Sequence, residues 1–118
     1  MTDPRYKKLA ELLVGYSTEV QAGENVQLHM IDIPDEFTVE LIRAVRKRKA
    51  NPYVQLSHGK VLREIYKGTN EEHAALMKSI ELGNMKKFQA YIAIRGAHNA
   101  NESADVPGEK MAMYSKTL

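Results

Sequence analysis

Strand-like and helix-like segments alternate along this chain of 118 residues, and this alternation constrains the fold more than any other feature. Residues 25–31 alternate apolar and polar side chains, which predicts a strand. Residues 37–45 carry apolar side chains at helical spacing, and residues 53–57 return to a strand pattern. Strand, helix and strand in succession predict a βαβ unit, in which the two strands run parallel.

A helix is predicted at the start of the chain, over residues 3–16. Asp3 is a suitable N-cap, and Pro4 fits the first helical position, where its missing N–H is not needed. The side chains expected to form its buried stripe follow i, i+3, i+4, i+7 spacing: Leu9, Leu12, Leu13 and Tyr16.

Two consecutive helices are predicted between the second and third strands, over about residues 60–66 and 72–82. Gly68 is expected to cap the end of the first, and Thr69 and Glu72 have the spacing of a capping box before the second. Three apolar side chains are expected on one side of the first helix: Val61, Leu62 and Ile65. The side chains expected to face inward on the second are Ala75, Leu76, Ile80 and Leu82.

Residues 89–94 form a nearly continuous apolar run, which is typical of a strand buried on both faces of a parallel sheet. We expect it to be the central strand. A polar loop over residues 97–105 is predicted to lead into a last helix that carries Met111, Met113 and Tyr114, with exposed apolar surface around Met111 and Tyr114.

The predicted fold class is therefore α/β, a single domain over residues 1–118. We expect a three-layer, Rossmann-like arrangement, with a mostly parallel sheet and helices on both faces. Three strands are few for such a sheet, so we expect the sheet to be incomplete at its carboxyl end and the chain to be the front part of a longer protein.

Composition removes several classes of function. The chain has no cysteine, which excludes disulfides, thiolate metal ligands and a cysteine nucleophile. Its net charge is +2, and the basic run at residues 46–49 falls in the last turn of a predicted helix, where cations favour the helix dipole, so we expect no nucleic-acid partner. No apolar run is long enough to span a membrane, and we expect no membrane partner and a cytoplasmic location.

No catalytic, cofactor-binding or metal-binding set can be assigned from motifs, because the histidines are far apart and no glycine-rich phosphate loop or G-x-S-x-G motif is present. His29 is expected to pack or to form hydrogen bonds beneath a helix. Polar residues that follow the strands could converge in a crevice at the carboxyl edge of the sheet: Asp32, His58, Arg95, His98 and Asn99. The alternative is that these are ordinary solvated loop residues.

Several segments of the sequence resemble the amino terminus of the thermophilic metalloaminopeptidase family that includes aminopeptidases T and S. They are residues 3–14 (DPRYKKLAELLV), 16–17 (YS), 23–26 (GENV), 41–44 (LIRA), 50–54 (ANPYV) and 99–112 (NANESADVPGEKMA). The chain departs from the family pattern at Asn51, where a small residue is usual, and at residues 107–109, where the Pro-Glu pair is interrupted.

The resemblance implies that the parent enzyme removes amino-terminal residues from peptides. It also implies two divalent metal ions (zinc, cobalt or magnesium), held in a carboxyl-terminal domain outside this sequence, and a homo-oligomer. We therefore expect this chain to be the non-catalytic amino-terminal domain of a metal-dependent aminopeptidase. The alternative is a free-standing α/β ligand-binding or protein-interaction module without enzymatic activity.

Overall fold

A computed structural model describes residues 3–96 and, as backbone only, residues 111–117. The predicted loop at residues 97–105 lies outside the described residues. In chain order the elements are α1 (Pro4–Leu12), a π-helical turn (Leu13–Ser17), β1 (Asn25–Ile31), α2 (Asp35–Lys47), β2 (Asn51–Ser57), α3 (Gly59–Lys67), α4 (Glu71–Met85), β3 (Ala90–Gly96) and β4 (Met111–Thr117).

The strands form one sheet in the order β2-β1-β3-β4. β1 runs parallel to both β2 and β3, and Leu28 at its centre pairs with Val54 on one side and Ile92 on the other. The α/β class and the mostly parallel sheet are thus confirmed, and β3 is an internal strand as predicted. A strand order that places β1 between β2 and β3 requires the β2-to-β3 connection to pass over β1.

The core lies between one face of the sheet and the helices α1 and α2. Alternate residues of β1 and β3 point into it, as expected for pleated strands. Phe37 of α2 is fully buried there, and its ring meets that of Tyr6 edge-on, with centroids 5.4 Å apart. The strand residues that belong to this core are Val26, Leu28, Met30, Ala90, Ile92 and Ile94.

The start of α1 agrees with its prediction, because the Asp3 carboxylate accepts the backbone N–H of Arg5 at 2.9 Å. The predicted stripe is wrong in part: Leu12 and Tyr16 are 53% and 78% exposed, whereas Leu13 and the unpredicted Val14 are buried. The π-helical turn that begins at Leu13 explains the exposure of Tyr16, because its wider turn no longer follows the 3.6-residue spacing. Leu12 still belongs to α1, where the buried face runs through Ala10 and Leu13 instead.

The helices α3 and α4 lie on the second face of the sheet. Tyr91 of β3 points to this face, because its neighbours Ala90 and Ile92 point into the core on the other face. The pKa of Tyr91 is raised first by burial and then by the charge of Glu81 in α4. Helices on both faces are therefore present. Gly68 is the C-cap of α3 as predicted, but Asn70 caps α4 in place of Thr69, and its side chain accepts the backbone N–H of His73 at 2.8 Å.

The predicted inward face of α4 is wrong, because this helix contains no buried residue. α3 contains none either. Helical spacing identifies which side chains share a face, but it does not ensure that the face is covered. The large apolar side chains that stay exposed on these helices are Val61, Ile65, Tyr66, Leu76, Ile80, Leu82 and Met85.

The predicted last helix is also wrong: residues 111–117 form β4, antiparallel to β3. Without β4 the outer edge of β3 would leave backbone N–H and C=O groups unpaired, and the ladder from Met111–Gly96 to Thr117–Ala90 satisfies them. Long-range pairing has overridden a local pattern that suited a helix. The predicted exposure around Met111 and Tyr114 concerns side chains outside the described part of the chain.

We expect the substitution Phe37→Ala to lower the free energy of unfolding by about 3–5 kcal/mol, because it empties a fully buried site. Val39 lies on the same helix but is 40% exposed, so Val39→Ala is the matched control and should change stability by about 0.5 kcal/mol or less. Urea denaturation of both variants measures the difference. Equal losses would show that α2 does not pack as described.

Candidate functional site

Asp32 is the residue around which the carboxyl ends of the parallel strands meet. It directly follows β1, and its backbone N–H donates to the carbonyl oxygen of Ser57 at the end of β2 at 3.0 Å. Its side chain is only 13% exposed. One carboxylate oxygen, Oδ2, accepts the backbone N–H of Gly59 at 3.0 Å, and the other, Oδ1, lies 3.4 Å from His58 Nδ1.

These contacts give Asp32 a structural role at the start of α3. His58 occupies the N-cap position of that helix, but its side chain forms no capping hydrogen bond. The carboxylate of Asp32 reaches across from β1 and accepts the N–H of Gly59, the first residue of α3. A negative charge at this position satisfies an otherwise free donor and favours the helix dipole.

Two glycines allow the chain to approach Asp32 closely. A Cβ atom added to Gly96, at the end of β3, would lie 2.4 Å from the carbonyl oxygen of Asp32. A Cβ atom added to Gly59 would lie 2.9 Å from Asp32 Oδ2. Asp32 itself adopts a left-handed backbone conformation, with φ of 56°. The ends of β1, β2 and β3 are therefore held together by short contacts that leave no room for a side chain at Gly96.

The structure brings together only part of the predicted crevice. Asp32 and His58 are adjacent. Arg95 is exposed and pairs in register with Ile31, one residue before Asp32. His98 and Asn99 lie outside the described residues. Whether these side chains bind a ligand stays a prediction.

A second polar cluster, which motif analysis did not find, lies on the second face of the sheet. His29 Nε2 in β1 is 2.9 Å from Ser57 Oγ in β2, and His29 Nδ1 is 3.4 Å from the hydroxyl oxygen of Tyr91 in β3. Beside them the Gln27 side-chain amide donates to Gln55 Oε1 at 3.1 Å. The expectation that His29 forms hydrogen bonds is confirmed, but its partners come from neighbouring strands and only the sheet register reveals them.

Burial lowers the pKa of His29. The charge of Glu81 opposes this by raising the pKa, and the charge of Arg95 lowers it further. The net direction is downward, so the imidazole is neutral at pH 7.

The grooves on the other side of the molecule hold ion pairs. The larger, with a volume of about 410 Å³, runs between α1 and α2. Within it Lys47 Nζ lies 3.0 Å from Glu11 Oε2, and Arg43 Nη1 lies 3.4 Å from Glu40 Oε2. Nearby, Arg48 Nε donates to the carbonyl oxygen of Val20 at 2.6 Å. Two cations of the basic run, Lys47 and Arg48, therefore connect α2 to the first part of the chain.

The described residues do not fit a metal centre. Within residues 3–96 and the backbone of 111–117, no three His, Cys, Asp or Glu side chains converge where they could hold a metal ion. Asp32 and His58 make only a pair, and one oxygen of Asp32 already accepts the Gly59 N–H.

No helix in this part of the chain is long and apolar enough to cross a membrane.

The parallel strands, the crossover over β1 and the helices on both faces define a Rossmann-like α/β domain. The family model of the thermophilic metalloproteases (M29) matches residues 2–118, and the chain belongs to this family of metalloaminopeptidases, which includes aminopeptidases T and S. This confirms the resemblance drawn from the sequence segments. Comparison with curated proteins gives no match.

We expect Gly96→Ala to lower the free energy of unfolding by about 1–3 kcal/mol, because the added methyl group meets the Asp32 backbone. Gly83→Ala is the control: its Cβ meets nothing within 4 Å, and alanine in helix α4 should raise stability by about 0.5 kcal/mol. Thermal unfolding monitored by circular dichroism compares the two. A neutral result at Gly96 would contradict the close approach of β1 and β3.

We expect acid to destabilise the protein partly through His29. The pKa of His29 is lower in the folded state, so the unfolded chain binds the proton more readily. The contribution of neutral His29 to folding stability is therefore present above about pH 6.5 and is lost as pH falls through the folded pKa. Urea denaturation at about pH 5 and about pH 7.5 should show a smaller loss of stability in His29→Gln than in the parent chain. An identical loss in both proteins would argue against the burial of His29.

Proposed function

We propose that this chain is the amino-terminal, non-catalytic domain of a metal-dependent aminopeptidase. The full-length enzyme would remove amino-terminal residues from peptides with two divalent ions, zinc, cobalt or magnesium, held outside this domain. The observation that carries the proposal is the family match over residues 2–118, combined with an Asp32 carboxylate that is already committed to a structural contact at the start of α3. A peptide substrate, a homo-oligomer and a cytoplasmic location belong to the same proposal.

The chemistry itself would be supplied by the metal ions, which polarise a peptide carbonyl and lower the pKa of bound water. The residues of this chain contribute support. Asp32 holds the start of α3 against the ends of the strands. Lys47 holds α2 against Glu11 of α1, and Arg48 binds the carbonyl oxygen of Val20. The domain would present its exposed helices α3 and α4 to the rest of the assembly.

The second candidate function is a free-standing ligand-binding module that uses the carboxyl edge of the sheet. The proximity of Asp32 and His58 at this edge favours it, since open α/β sheets bind ligands there. Alanine substitution of His58 and Arg95, both exposed, separates the two readings. Ligand binding or assembly that both variants leave unchanged would remove this candidate.

The proposed function predicts that the 118-residue chain alone hydrolyses no aminoacyl p-nitroanilide when zinc, cobalt or magnesium is added. The physical reason is that the described residues offer at most two adjacent metal ligands, Asp32 and His58, of which Asp32 is already engaged. Release of p-nitroaniline measures the activity. The proposal would be overturned by turnover that survives purification, depends on the metal and is lost in Asp32→Asn or His58→Ala. Glu11→Gln, which lies on the opposite side of the core, serves as the control variant.

A further inference from the structure

Ser57 and His29 have the geometry of a nucleophile and its base. Ser57 Oγ lies 2.9 Å from His29 Nε2, which is within hydrogen-bond reach for transfer of the hydroxyl proton. The contact is made across the sheet, because Ser57 is the last residue of β2 and His29 lies two residues before the end of β1. Neither the Ser57 hydroxyl nor the His29 ring takes part in the contacts of the Asp32 carboxylate with the start of α3.

The other ring nitrogen of His29 is directed toward a third group. Donation from Ser57 to Nε2 requires the neutral ring with its proton on Nδ1, and that nitrogen lies 3.4 Å from the hydroxyl oxygen of Tyr91. A partner on this side orients the ring, as the third member of a catalytic triad does. Burial lowers the pKa of His29, which keeps it in the neutral form that can accept a proton.

The position of the pair leaves it open to a small reactant. β2 is the outermost strand on its side of the sheet, and Ser57 is only partly buried. Helices α3 and α4 lie on this face without burying any of their own residues. Arg95 and Ser57 both pair in register with Ile31, so they share this face, where a positive charge favours an anionic oxygen.

We propose that Ser57 is a nucleophilic serine, activated by His29, that accepts an acyl group from small activated esters. This activity is separate from the metal-dependent peptide hydrolysis, in which the domain takes no catalytic part. The Ser57 hydroxyl proton passes to His29 Nε2 while Oγ forms a bond to the ester carbonyl carbon. The bond from that carbon to the leaving oxygen then breaks, and His29 returns the proton to the departing alcohol. The products are acyl-Ser57 and the alcohol, and hydrolysis by water, with His29 as base, restores the serine.

The intact chain can be tested with p-nitrophenyl acetate, with acylation of each serine followed over time by peptide mass spectrometry. Ser79 is the internal control, because it is an exposed serine in α4. We expect Ser57 to be acylated about a hundredfold faster than Ser79, the low end of what a positioned general base contributes. Equal rates at the two serines in the unmodified chain would overturn the proposal, since a purely structural hydrogen bond does not activate the hydroxyl.

The variant His29→Gln tests the base separately. It retains a hydrogen-bonding group at this position but cannot accept the proton, so the rate at Ser57 should fall to that at Ser79. Circular dichroism must show that the variant is folded under the conditions of the assay. The control is Gln27→Ala, which alters the neighbouring Gln27–Gln55 contact and should keep the fast acylation of Ser57. Fast acylation that persists in folded His29→Gln would overturn the role of His29.

Discussion

The burial of β1 is the constraint on which the rest of the structure depends. β1 has parallel neighbours on both sides, and its residues Val26, Leu28 and Met30 pack against α1 and α2. Because successive side chains of a strand point to opposite faces, this packing directs His29 to the second face. The same register brings the end of β1 beside the ends of β2 and β3, where the Asp32 carboxylate can reach α3. The alternation of apolar side chains in β1 thus determines where both polar clusters lie.

Local patterns predicted β1 and α2 well, because each has a clear periodicity and one buried face. They failed where the outcome depended on distant residues. The spacing of Leu76 and Ile80 marks a shared face of α4, but whether that face is covered depends on elements far away in the sequence. Residues 111–117 suit a helix locally and nevertheless pair with β3. The approach of Ser57 to His29 likewise required the strand register, which no motif encodes.

Family membership and local chemistry answer different questions in this protein. The match over residues 2–118 identifies a metalloaminopeptidase family member, while the Asp32 carboxylate at the carboxyl edge of the sheet is engaged with His58 and Gly59. Asp32 illustrates the distinction, since a carboxylate at the carboxyl edge of a parallel sheet is in the usual place for a ligand site. Its two oxygens face Gly59 N–H and His58, so its position is explained by helix capping before any ligand is invoked.

The unequal packing of the two faces has a consequence for the folding cooperativity of the chain. α2 buries Phe37, Leu41 and Val45, whereas α3 and α4 bury no residue. Opening of α3 and α4 therefore exposes little of the core, and it requires less free energy than global unfolding. Amide hydrogens in these two helices would exchange with solvent through a partial opening, while those of β1 would exchange only when the whole molecule unfolds. The sheet and its first two helices thus form one cooperative unit, and the long crossover between β2 and β3 is a separate, weaker one.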